Sequence, residues 1–257
     1  MALGTFSKFY FLDPVTSDNQ NMNFDEGGGE LVAQVNVGSY TLTDVLVAVK
    51  TALDVSGGQE YTVTVDRDTR QITISATSNF DLLLSTGSQV GTSPWQLLGF
   101  TQGVDLTGSN SYTGASPAGS EYITQFAPQN YVDPEKSQQR IDAAVNESAS
   151  GVIEVISFGI RKRIEMNLMW ITNIKSDGKI IRNNPTGVQD AETFLQYITG
   201  RPQLEFMPDK DDSNTFYEVQ LERTQADTNG VGYLLKEEIG NNLPGYYQTG
   251  LLVFRVV

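Results

Sequence analysis

Apolar and polar positions alternate along this chain with two different periods, and the places where the period changes mark the elements. Leu31, Ala33, Val35 and Val37 alternate with Val32, Gln34, Asn36 and Gly38, the period of two of a half-exposed strand. A polar lead over 17–26 precedes it, and Gly27, Gly28 and Gly29 form a turn between them. The period then lengthens: Leu42, Val45, Leu46, Val49 and Leu53 share one face of a helix predicted over 42–55. Thr41 is placed to cap it, Asp44 suits the first turn, and Gly57 with Gly58 ends it. Tyr61, Val63 and Val65, then Ile72 and Ile74, alternate with Thr and Ser across the polar turn Asp66-Arg67-Asp68-Thr69, which reads as a hairpin. A buried strand at 80–84 and a short helix at 94–98 follow.

The later part of the chain repeats the mixture. Strands are predicted at 152–158 and from Arg163, where Ile164, Met166, Leu168 and Trp170 share one face. After a loop over 176–187 rich in Gly, Asn and Pro, Asp190 is placed to cap an amphipathic helix through Phe194, Leu195 and Ile198 to Gly200. Strands are expected at 203–207, 216–221 and 251–257. Two polar stretches, 103–119 and 128–150, lie between the halves, the second with a helix-compatible piece near 138–145. The expected organisation is a β-rich module over 1–130 carrying the helix, a linker over 131–150, and a β-rich domain over 151–257. The fold class is α+β, mainly β: an antiparallel sheet with one packed helix, then a β-sandwich-like domain with one helix.

Composition narrows the chemistry. The 257 residues carry 17 Lys plus Arg against 31 Asp plus Glu, a formal net charge of −14, with no His and no Cys. Four basic and 15 acidic residues fall in 1–135, against 13 and 16 in 136–257. Direct nucleic-acid binding, which needs clustered positive charge, is disfavoured. Histidine bases, cysteine nucleophiles, Cys/His metal sites and disulfides are excluded. No apolar run approaches the roughly 18 residues of a membrane span, and the start lacks the layout of a signal peptide. The chain is therefore expected to be a soluble product of the cytosol, without membrane insertion.

What remains is carboxylate chemistry. Asp66 with Asp68, and Glu237 with Glu238, are sequence-adjacent acid pairs, and such pairs usually face water rather than forming a glycosidase dyad. The stretch 208–214 resembles the opening of a calcium loop, but Asn214 stands where that loop needs glycine and Gln220 where it needs glutamate. It reads as a turn between two strands. The glycine triplet has no lysine near it and fits no phosphate cradle. No catalytic, cofactor-binding or metal-ligating residue is assigned, and no cofactor is expected. Five residues are candidates for interaction. Arg161, Lys162 and Arg163 form the only basic triplet, suited to salt bridges or to docking on the acidic half of a neighbouring copy. Tyr246 and Tyr247, beside Pro244 and Gly245, are candidates for stacking on a sugar, filling a partner's pocket or closing a sheet edge.

Two passages carry a resemblance. Gly38-Ser39-Tyr40-Thr41-Leu42 before the helix, the alternation from Tyr61 to Asp66, the run Ile72 to Ser75, Leu84 to Gly87, Leu97 to Thr101, Asp105 to Gly108 and Ser111 to Thr113 are similar to a module of virion proteins from tailed bacteriophages and other double-stranded DNA viruses. It covers roughly 20–115. The phrases Phe158 to Arg161, Phe206 to Asp209, Gly232 to Glu237 and Leu243 to Gly250 resemble phage tail structural proteins. The resemblance implies a non-enzymatic virion subunit, assembled in the host cytoplasm. It would sit at the tail tip, baseplate or a connecting ring, with copies of itself in a ring and other tail proteins as partners. A receptor- or carbohydrate-binding virion module, as in head-fibre or tail-fibre attachment, is the alternative.

Overall fold

The structure is a computed structural model that describes residues 7–123, 140–147, 153–168, 175–176, 179–180, 191–224, 236–237, 247–249 and 251–257. Its elements in chain order are β1 (Lys8–Phe11), β2 (Asn21–Asp25), β3 (Glu30–Gln34), α1 (Leu42–Ser56), β4 (Tyr61–Asp66), β5 (Gln71–Leu82), β6 (Leu106–Thr113), β7 (Ser120–Ile123), β8 (Arg140–Glu147), β9 (Ile153–Arg161) and β10 (Arg163–Asn167). There follow β11 (Lys175–Ser176), β12 (Lys179–Ile180), α2 (Ala191–Thr199), β13 (Gln203–Met207), β14 (Tyr217–Thr224), β15 (Lys236–Glu237), β16 (Tyr247–Gln248) and β17 (Leu251–Val256). The fold is α+β and mainly β, as the patterning implies.

The long strand β5 organises the first sheet, ordered β3-β2-β5-β4. Its first half pairs with β4 from Tyr61↔Ala76 to Asp66↔Gln71, and its end pairs with β2 at Phe24↔Leu82. β6 takes the opposite edge, with register shifts between Ser75 and Phe80 and between Phe80 and Leu82. Helix α1 packs on this sheet through Leu42, Val45, Val49, Ala52 and Leu53. It is capped as its sequence dictates: Thr41 Oγ1 accepts from the Asp44 N–H at 3.0 Å, and the Gly57 N–H donates to Leu53 O. Phe24, Tyr61, Phe80 and Tyr112 form an edge-to-face aromatic chain through this core.

The second sheet runs β10-β17-β14-β13-β1-β7, antiparallel throughout. All four residues of β1 are buried because the strand serves two cores. Phe9 and Phe11 join Phe194, Leu195 and Ile198 of α2, whereas Tyr10 and Leu12 join the core beneath α1. β13 divides the same way, with Leu204 and Phe206 in one core and Met207 in the other. The Phe9 ring lies 4.7 Å from Phe194 and 4.9 Å from Phe206, and Tyr122 stacks on Phe194 at 4.5 Å. The β1–β13 pairing thus joins residues on the two sides of the stretch expected as a linker, 131–150.

Four local expectations are corrected. The polar lead contains β2, whose Met22 and Phe24 are buried; interleaved Asn and Asp disguised it. The stretch 103–119 contains β6, polar because its hydroxyls pair across to β5, Thr113 with Thr73 and Ser111 with Ser75 at 2.8 Å each. The helix-compatible piece near 138–145 is strand β8, paired to β9 from Arg140↔Arg161 to Glu147↔Ile153. Its Ile141, Ala143 and Val145 follow period two. The short helix at 94–98 is one hydrogen-bonded turn, closed by Leu98 N–H to Pro94 O at 3.0 Å. It cannot continue because Gly99 takes φ +83°, where a Cβ would lie 2.2 Å from Ser116 O. Asp190 and Trp170 lie outside the described residues.

Candidate interaction surfaces

Where the two cores meet, buried charges clasp the N-terminus of α1 to the second sheet. Glu205, fully buried on β13, accepts from both the backbone N–H and the hydroxyl of Thr43 at 2.8 Å and pairs with Arg67 of the β4–β5 turn. Its carboxylate therefore satisfies α1 donors that lack an intrahelical partner and sits at the positive end of the helix dipole. Arg67 also donates from Nε to Ser213 O at 2.8 Å, with its guanidinium 3.8 Å from the centre of the Phe216 ring. Tyr10 donates to Arg67 O at 2.8 Å, and buried Lys8 donates to Ser213 Oγ at 2.7 Å. Glu218, beside Glu205, accepts from Thr41 Oγ1 at 3.3 Å; burial, then the charges of Asp44 and Glu205, push its carboxyl above the usual range. Arg70 is 3% exposed, reaches Ala118 O at 3.1 Å and Glu121 at 3.8 Å, and is pulled below the ordinary guanidinium value by desolvation. Glu205, Arg67, Lys8 and Arg70 are all spent on holding elements together.

The predicted interaction residues separate. Arg163 forks onto Glu222 of β14, Nε and Nη2 each 2.5 Å from a carboxylate oxygen, and so is bound within its own sheet. Lys162 is exposed, its carbonyl accepting from the Val256 N–H at 3.0 Å. Arg161 closes β9 opposite Arg140. Tyr247 lies in β16 opposite Glu237, while Tyr246 lies outside the described residues. The acid pair Asp66 and Asp68 is a turn device: Asp66 accepts the N–H groups of Thr69 and Asp68 at 3.0 and 2.9 Å, which hold its carboxyl below the usual range. Glu238 lies outside the described residues. In the calcium-like stretch, Asp209 accepts from the Asp211 N–H and Asp212 from those of Asn214 and Thr215, so the carboxylates shape the turn between β13 and β14. Among the described residues no group of three or more acidic side chains is placed to hold a metal.

Sequence patterning missed a groove of about 840 Å³ between α1 and β3. Val32, Gln34, Tyr40, Asp44, Val47 and Val55 contribute to its walls. The signal was present: Val47 and Val55 lie off the apolar face that defines α1 and had no assigned partner. Val55 is 81% exposed and Val47 64%. No protein-family model and no curated protein matches the chain.

Proposed function

We propose that the chain is a non-enzymatic structural subunit of a phage virion, a component of the tail tip, baseplate or a connecting ring. It would act by oligomerising and anchoring neighbouring tail proteins. The observation that carries this reading is the ordered resemblance of both halves to virion and tail proteins. The structure supports it with a body whose buried charges serve cohesion: Glu205, Arg67, Lys8 and Arg70 all bind elements of the same chain. Rings of identical copies form through heterologous contacts that close by rotation. The test is mass photometry of the full chain together with immunolabelling of purified particles. A discrete oligomer and label at one end of the tail are expected; monomers at all concentrations together with unlabelled particles defeat the reading.

A further inference from the structure

Opposite residues of an antiparallel pair alternate between exchanging hydrogen bonds and pointing their backbone groups away. Val35 N–H donates to Gln20 O at 2.9 Å. In the continuous β2–β3 register, Leu31, Ala33 and Val35 therefore bond inward, and Glu30, Val32 and Gln34 aim N–H and C=O outward. Among the described residues β3 pairs only with β2. Sheet edges are ordinarily protected by lysine, proline, a bulge or a covering element. β3, Glu30-Leu31-Val32-Ala33-Gln34, carries no lysine, proline or bulge, and an open groove separates its edge from α1. Six large apolar side chains are exposed among the described residues, and four of them, Val32, Val37, Val47 and Val55, sit on or beside these two elements.

Charge selects the occupant. Residues 7–123 hold 13 carboxylates and four cations, and all four cations are committed internally. Lys8 binds Ser213, Lys50 binds Asp54, Arg67 binds Glu205 and Arg70 binds Glu121. Among the described residues Asp44 is the one charged residue lining the groove, and Glu30 at the edge has one carboxylate oxygen held by Asn23 and the Ser88 N–H, leaving the other to face a partner. The geometry points to the α1–β3 groove as a docking site for an extended, basic segment of a partner protein, added beside β3 as a strand. Its backbone pairs with Glu30, Val32 and Gln34, its apolar side chains rest on Val47 and Val55, and its lysines or arginines meet Glu30 and Asp44. A second copy pairing through the same edge would bring two acidic surfaces together.

The test uses the full chain and three capped peptides, alternating lysine with valine, lysine with glycine, and glutamate with valine. The lysine–valine peptide is expected to shift the amide resonances of Glu30, Val32, Gln34, Val47 and Val55, and to bind more weakly as salt rises. The lysine–glycine peptide, equal in charge but poor in strand propensity, and the glutamate–valine peptide bind at least about tenfold more weakly. Val47→Lys and Val55→Lys, both at exposed positions, each weaken the lysine–valine peptide by about tenfold. No binding at millimolar peptide, equal binding of the three peptides, or indifference to both substitutions overturns the assignment. So does self-association of the chain that strengthens with salt and disappears in both variants, which would assign the groove to a second copy.

Discussion

Glu205→Gln isolates the clasp between the two cores. The amide oxygen of glutamine can still accept from the Thr43 N–H and hydroxyl, so the cap on α1 survives. Its amide NH2 then faces Arg67, donor against donor, with the Glu205 side chain fully enclosed and that of Arg67 15% exposed. Removing one member of a buried ion pair costs about 3–5 kcal/mol. Arg67 keeps Ser213 O and the Phe216 ring, so the lower end, about 3 kcal/mol, is expected. In a chain of this length that lowers Tm by about 6–12 °C. Urea unfolding followed by tryptophan fluorescence reads the loss, since Trp95 is fully buried in the core beneath α1. The double variant Glu205→Gln/Arg67→Met removes the stranded charge and should recover about half of it. A loss below about 1 kcal/mol for Glu205→Gln, or no recovery in the double variant, refutes the view that an ionic pair clasps the cores.

Other outcomes follow from the same geometry. Because the folded carboxyl of Glu218 titrates above its unfolded value, its contribution is fully present in acid and is lost as pH rises through the folded value. Glu218→Gln should therefore stabilise the protein at neutral pH, with the difference from wild type vanishing as pH falls below the ordinary glutamate range; melting curves across pH check this. Gly99→Ala should cost about 3 kcal/mol, because φ +83° and the Ser116 carbonyl both oppose a methyl group. Denaturant midpoints measure it. Phe194→Ala, which removes the ring between Phe9 and Tyr122, should cost about 3–5 kcal/mol. Near-ultraviolet circular dichroism should weaken with it.

Elements whose signals are local were legible in the sequence. Thr41, Asp44 and Gly57 bounded α1, the Asp66–Thr69 turn announced the β4–β5 hairpin, and the strands expected at 203–207 and 251–257 coincide with β13 and β17. β1 was not legible, because a strand buried on both faces has no alternation to show, and its partner Phe206 lies far along the chain from Phe9. β6 was hidden for the opposite reason: its exposed face is polar and glycine-containing, and only the facing hydroxyls of β5 reveal it. The clasp was likewise invisible, since Glu205 looks like an ordinary outward strand residue until α1 is docked above it. The basic triplet was legible as a charge cluster, yet pairing inside the sheet claims Arg163 for Glu222.

The placement of β1 between β7 and β13 imposes an order on synthesis. β1 leaves the ribosome long before its neighbour Gln203–Met207, which lies far along the chain. Until then Phe9 and Phe11 on one side, and Tyr10 and Leu12 on the other, have no completed core to enter. The core around Phe194 cannot seal until residues 203–207 have emerged, and a product truncated ahead of residue 203 would present sticky surfaces to chaperones and proteases.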